Sequence, residues 1–166
     1  MNPLKKLASQ TAIYGLSSVV GRLLNYLLVP LYTRYFLPAE YGVVTELYAY
    51  VAFLVVMLTY GMETAFFRFS KKEETTKVYS TTLISLLISS VVFVGLIFLN
   101  SSAISQWLGY ANHPEYIQFF ALIIGMDAVA SISFAKLREQ DKAMRFAFIR
   151  IVNIMVNIGL NLYFIV

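Results

Sequence analysis

Four ionisable side chains interrupt stretches that are otherwise apolar: Arg22, Glu46, Glu63 and Asp127. A charge inside hydrocarbon is expensive, so such residues face a protein interior or a water-filled cavity. Arg22 lies too far from either end of its run for the guanidinium to snorkel out. Steps of four and three put Thr11, Gly15, Ser18, Asn25, Val29 and Tyr32 on the same helical face as Arg22. An arginine flanked by Ser18, Asn25 and Tyr32 suits an anionic substrate group such as a phosphate, whose oxygens match the fork of donors. The alternative is a structural ion pair with one of the acids. Glu46 is expected near Arg22 or Arg34, either paired or facing a substrate cavity. Glu63 lies 17 residues further on, about 25 Å along a helix axis. The two acids are therefore no catalytic pair, and Glu63 is expected to form an interfacial salt bridge near Arg68. Asp127, with Ser131 one turn on, is a candidate for proton or sodium coupling, or a carboxyl bonded to a neighbouring helix.

The elements that must carry these residues are apolar runs. A helix crossing the bilayer core needs about 20 mostly apolar residues. Five segments fit: 8–36, 43–67, 78–99, 116–135 and 146–166. The spacing predicts an all-α fold, a polytopic membrane helix bundle of about five transmembrane helices. The connections are a tight turn at 37–42, a charged loop at 70–77, a polar loop at 100–115 and a second charged loop at 136–145. Asn153, Asn157 and Asn161 recur at steps of four on the last span, where helix–helix hydrogen bonding is their expected role. Tyr35 and Tyr41 fit an interfacial aromatic belt. Tyr26 and Tyr50 are placed either to pack or to contact a sugar ring.

Composition agrees with a membrane chain. Of the 166 residues, 59% are hydrophobic and 13% charged, against about 25% charged in globular chains; mean hydropathy is +0.70. With the N-terminus inside, eleven of the 13 Lys and Arg residues fall in inside segments, as the positive-inside rule requires. The net charge of +4 therefore reflects topology and implies no nucleic acid. There is no cysteine, and His113 is the only histidine, so thiolate chemistry and His-based metal sites are excluded. No phosphate loop or nucleophile elbow occurs, and no enzyme activity or cofactor is expected. The last apolar run reaches Val166 with no polar flank. The expectation is thus a single transmembrane domain over 1–166, an incomplete N-terminal lobe with further helices C-terminal to Val166.

Gly21-Arg22 together with Pro30-Leu31-Tyr32-Thr33-Arg34-Tyr35-Phe36-Leu37-Pro38-Ala39-Glu40-Tyr41-Gly42 resembles the start of bacterial polysaccharide-biosynthesis flippases. These are Wzx-type oligosaccharide transporters of the multidrug/oligosaccharidyl-lipid/polysaccharide superfamily. The resemblance is specific over residues 21–42 and a matter of helix pattern beyond residue 70. It implies two lobes of six helices around a cavity that opens alternately to each side of the inner membrane. It implies as substrate a lipid-linked glycan on an undecaprenyl diphosphate carrier, with Arg22 matching a cavity arginine. Asp127 matches no family motif. The rivals are a multidrug or cation antiporter of the same superfamily, which a central arginine disfavours, and a membrane-embedded polyprenyl-phosphate enzyme, which would need convergent acids. A non-catalytic helical scaffold is the third.

Overall fold

The computed structural model describes residues 11–16, 19–20, 23–24 and 26–165. Among them the fold is all-helical. Residues 11–16 are helical, and the helices that follow are α1 (Val29–Tyr35), α2 (Pro38–Thr59), α3 (Met62–Phe69), α4 (Thr75–Trp107), α5 (Pro114–Glu139) and α6 (Ala143–Ile165). Four stretches are long and apolar enough to cross a membrane: Pro38–Phe69, Thr75–Trp107, Pro114–Glu139 and Ala143–Ile165. The protein is a multi-pass membrane protein. The first expected span, 8–36, falls partly on residues outside the description.

The helices extend further than the apolar runs, at the expense of the expected loops. The turn at 37–42 shrinks to its first residue. Leu37 precedes a proline and is held out of the helical region, and Pro38 then opens α2, where its missing N–H costs nothing. Glu40 completes the start, its Oε2 accepting the Leu37 backbone N–H at 3.0 Å, one half of a capping box. At 33 residues, α4 is about 50 Å long and takes in Asn100–Trp107, which its polarity had assigned to a loop. Three of those side chains bond to their own helix. Asn100 donates to the Leu96 carbonyl, Ser101 to Phe98 and Ser105 to Ser102, so the helix continues through these polar residues.

Two helix ends share one device. Gly109 adopts φ 84 after α4, with Gly109 N–H bonded to the Gln106 carbonyl and Tyr110 N–H to Ser105. After α5, Asp141 takes φ 56, with Asp141 N–H on Arg138 and Lys142 N–H on Leu137. Both are Schellman ends, in which a left-handed residue turns the chain back on the last carbonyls. The second charged loop is consequently three residues, 140–142, not 136–145.

The second span is broken. Tyr60 (φ 33) and Gly61 (φ 73) separate α2 from α3, and the Tyr60 hydroxyl lies 2.7 Å from Ser85 Oγ on α4.

The contacts define two compact units, residues 45–136 and residues 1–44 with 137–166. In the first, Phe66, Leu86, Ile132 and Ala135 form a buried cluster between α3, α4 and α5. Small residues let α5 approach α4 closely, because a Cβ on Gly125 would sit 2.9 Å from Val94 Cγ2. In the second unit, Tyr14 meets Phe146 edge-on at 5.0 Å between centroids. Tyr32 donates to Asn161 Oδ1 at 2.9 Å, tying α1 to α6.

Candidate functional site

The best-defined polar site belongs to the unit of residues 45–136 and centres on Glu46. Glu46 and Tyr50 are one turn apart on α2, and Tyr50 Oη donates to Glu46 Oε1 at 3.1 Å. The second oxygen, Oε2, accepts from Tyr110 Oη at 2.6 Å. Tyr110 reaches it because the Schellman turn at Gly109 reverses the chain at the end of α4. The carboxylate pushes the Tyr110 phenol up to about 12, mainly by accepting its hydrogen bond. Tyr110 is therefore a donor at any physiological pH. Among the described residues the partners of Glu46 are these two phenols.

Tyr50 also lines an apolar recess of about 180 Å³ between α2, α4 and α5, walled by Val51, Phe93, Ile97, Phe120 and Ile124. Trp107, 85% exposed, stands at its edge. His113 and Glu115 follow Tyr110 in the chain, Nδ1 to Oε1 at 2.8 Å, with His113 stacked on Tyr116 at 4.7 Å. Tyrosine and tryptophan gathered around the helix ends are what a membrane–water interface selects.

The other candidates lie apart from this cluster. Asp127 is on α5, exposed on the unit's surface. Ser131, one turn on, spends its hydroxyl on the Ala128 carbonyl at 2.7 Å. Tyr32 belongs to the other unit and is engaged by Asn161, whose Nδ2 in turn donates to the Asn157 carbonyl at 2.8 Å. Asn153 and Asn157 line an open recess of about 480 Å³ along α6. Glu63 sits in the first turn of α3 and Arg68 in its last. Ser18, Arg22 and Asn25 lie outside the described residues, so their placement with Tyr32 is an expectation from spacing alone. Among the described residues no three His, Asp or Glu side chains are close enough together to hold a metal ion.

Comparison with known families bears on residues 31–165, which match the family model described as "Polysaccharide biosynthesis protein". The chain belongs to that family. No curated protein and no solved structure matches it significantly. The likeness seen over residues 31–42 thus extends through α6, and Tyr32, Glu46 and Asp127 fall within the matched stretch. Ser18, Arg22 and Asn25 precede it. As a member of this family and a multi-pass membrane protein, the chain has a role in polysaccharide synthesis or export.

Sequence reasoning missed the tyrosines of the Glu46 site as donors. Tyr50 was legible as a neighbour at i+4. Tyr110 is 64 residues from Glu46 and carried no signal beyond Leu108-Gly109, which marks a helix end.

Proposed function

We propose that this protein translocates a lipid-linked oligosaccharide across the cytoplasmic membrane by alternating access, with no covalent chemistry. The observation that supports it best is membership of a polysaccharide-biosynthesis family by a chain built of membrane-crossing helices. A hydrophilic glycan cannot cross hydrocarbon unaided, and a helical transporter supplies a polar path. In this proposal Arg22 neutralises the diphosphate of an undecaprenyl-type carrier, and Ser18, Asn25 and Tyr32 continue the polar path. Glu46 offers glycan hydroxyls the lone pairs its tyrosines leave open, since a carboxylate has about four acceptor sites. Asp127 couples the cycle to an ion. The excess of Lys and Arg between the second and third spans and between the fourth and fifth supports a cytoplasmic N-terminus.

The test is depletion of the protein in cells, followed by assay of which membrane face holds the lipid-linked oligosaccharide. Accumulation on the cytoplasmic face, rescued by the wild type and not by Arg22→Ala, is the expected result. Rescue by Arg22→Ala would remove the diphosphate role of Arg22. Absence of accumulation would overturn flipping.

A further inference from the structure

We propose that the open recess along α6 binds the uncharged sugar part of the translocated glycan, with Asn153 and Asn157 holding its hydroxyls. This deepens the reading of the protein as a glycan translocator and rests on it. The site is separate from the diphosphate role given to Arg22.

Position is the first argument. The membrane-crossing helix α6 runs from Ala143 to Ile165, and Asn153 and Asn157 fall on either side of its midpoint. Both side chains are exposed. An amide facing hydrocarbon at that depth leaves its donors and acceptor unsatisfied, which is costly. The stripe must therefore meet water with a polar ligand, or a polar partner helix.

Hydrogen bonding is the second argument. Asn161 takes the helix–helix role expected of the stripe, accepting from Tyr32 Oη at 2.9 Å. Its Nδ2 donates to the Asn157 carbonyl at 2.8 Å and to Asn157 Oδ1 at 3.1 Å. Tyr32 thus orients Asn161, and Asn161 orients the amide of Asn157, whose Nδ2 remains to donate. Asn153, about 6 Å away along the axis, adds two donors and an acceptor. Neighbouring hydroxyls on a sugar ring each donate and accept, so they match amides one turn apart.

The walls decide the class of ligand. The recess holds about 480 Å³, within the range of about 300–1,000 Å³ found for small-molecule sites. Its polar groups are the two amides, and Ile149, Val152, Val156 and Leu160 complete it. No charged side chain lines it, and Arg150 lies over the Phe146 ring, 5.4 Å from the centroid. A phosphate meets no counter-charge here. A sugar offers its hydroxyls to the amides and its C–H faces to the aliphatic walls. A closely packed helix would call for Gly, Ala or Ser at the contact, and none lines the recess.

The chain contains no cysteine, so a single introduced thiol reports its own surroundings. Asn153→Cys and Asn157→Cys are made in the full chain and treated in membrane vesicles of both orientations with a membrane-impermeant methanethiosulfonate. Controls are Ile151→Cys and Met155→Cys, which are exposed at the same depth and outside the recess. The two recess positions should react about tenfold faster than the controls, because the thiolate forms only where water reaches. Asn153→Leu combined with Asn157→Leu keeps the size and removes the amides. In depleted cells this variant should slow translocation about tenfold, as the loss of a pair of hydrogen bonds would. Labelling no faster than the controls would place the stripe against lipid or another helix and overturn the proposal, while flipping by the wild type stands. Translocation at the wild-type rate in the double variant would overturn it equally. Should the double variant fail to fold by circular dichroism, Asn157→Leu alone decides, and an unchanged rate overturns the sugar contact. If depletion alone causes no accumulation on the cytoplasmic face, the flipping reading fails and this one with it, a result seen without any variant.

Discussion

Tyr110 donates its phenolic hydrogen to Glu46 Oε2 over 2.6 Å, joining the turn between α4 and α5 to the third turn of α2. The bond ties that turn to α2 at one end of the unit of residues 45–136. Removing it in Tyr110→Phe leaves the helices intact and frees the turn. Amide exchange over residues 108–113 should accelerate, with exchange in the core around Phe66 and Leu86 unchanged. Equal protection in the variant would show that the turn holds itself.

The same bond predicts a pH dependence at the alkaline end. The ordinary tyrosine value is about 10, and Glu46 raises that of Tyr110 to about 12. A raised folded value means that the folded state holds the proton more tightly. The stabilisation is therefore fully present below pH about 10 and lost as pH rises through about 12. Tyrosinate absorbance of the wild type should show a late-titrating component that Tyr110→Phe diminishes and Glu46→Gln shifts towards the ordinary value.

Helix packing gives a contrast between two glycines. A Cβ on Gly125 would meet Val94 Cγ2 at 2.9 Å, whereas one on Gly95 meets nothing within 4 Å. Gly125→Ala must displace the Val94 side chain or α4 itself and should cost about 1–3 kcal/mol. Gly95→Ala should be neutral or stabilise by about 0.4–1 kcal/mol, because it restricts only the unfolded chain. Equilibrium unfolding of the two variants in one detergent measures the difference, and equal values would contradict the close approach at Gly125.

The break in the second span is open to a similar test. Gly61 at φ 73 occupies the left-handed region, where a Cβ costs about 1–2 kcal/mol. Gly61→Ala should destabilise by about that amount or straighten the span. Straightening would carry the α3 residues, Phe66 included, around the helix axis and out of their cluster with Leu86 and Ile132. Crosslinking between cysteines placed at Met62 and Leu83, which pack at the same cluster, would fall if the break is lost and persist if it is retained.

How much of this was legible depended on the physics involved. Membrane helices were, because hydrocarbon demands long apolar runs, and the runs at 78–99 and 116–135 lie wholly inside α4 and α5. Their ends were not. Polarity cannot distinguish a loop from a helical turn whose serines bond to their own backbone, as Ser101 and Ser105 do. The Tyr60–Gly61 break was hidden because one glycine in an apolar run is common and the strained residue beside it is a tyrosine. Of the polar site, the sequence offered Glu46 and, at i+4, Tyr50. Tyr110 needed the Schellman turn. The stripe of Ser18, Arg22 and Asn25 rests on periodicity, while its extension to Tyr32 ends in a specific partner, Asn161.

That partner supplies the last prediction. Tyr32 and Asn161 are 129 residues apart and bonded at 2.9 Å, and Asn161 also donates to the Asn157 carbonyl at 2.8 Å. The asparagine is thus oriented by its own helix, with Oδ1 presented to the tyrosine. Polar contacts between membrane helices average about 0.6 kcal/mol in double-mutant cycles. Tyr32→Phe and Asn161→Leu should each destabilise modestly, and the double variant should fall short of their sum by about that amount. If Tyr32 also lines a glycan path, Tyr32→Phe should slow translocation beyond what Asn161→Leu does, because only the former removes a hydroxyl from the path. Equal losses of transport in the two single variants would assign Tyr32 to holding α1 against α6 and nothing more.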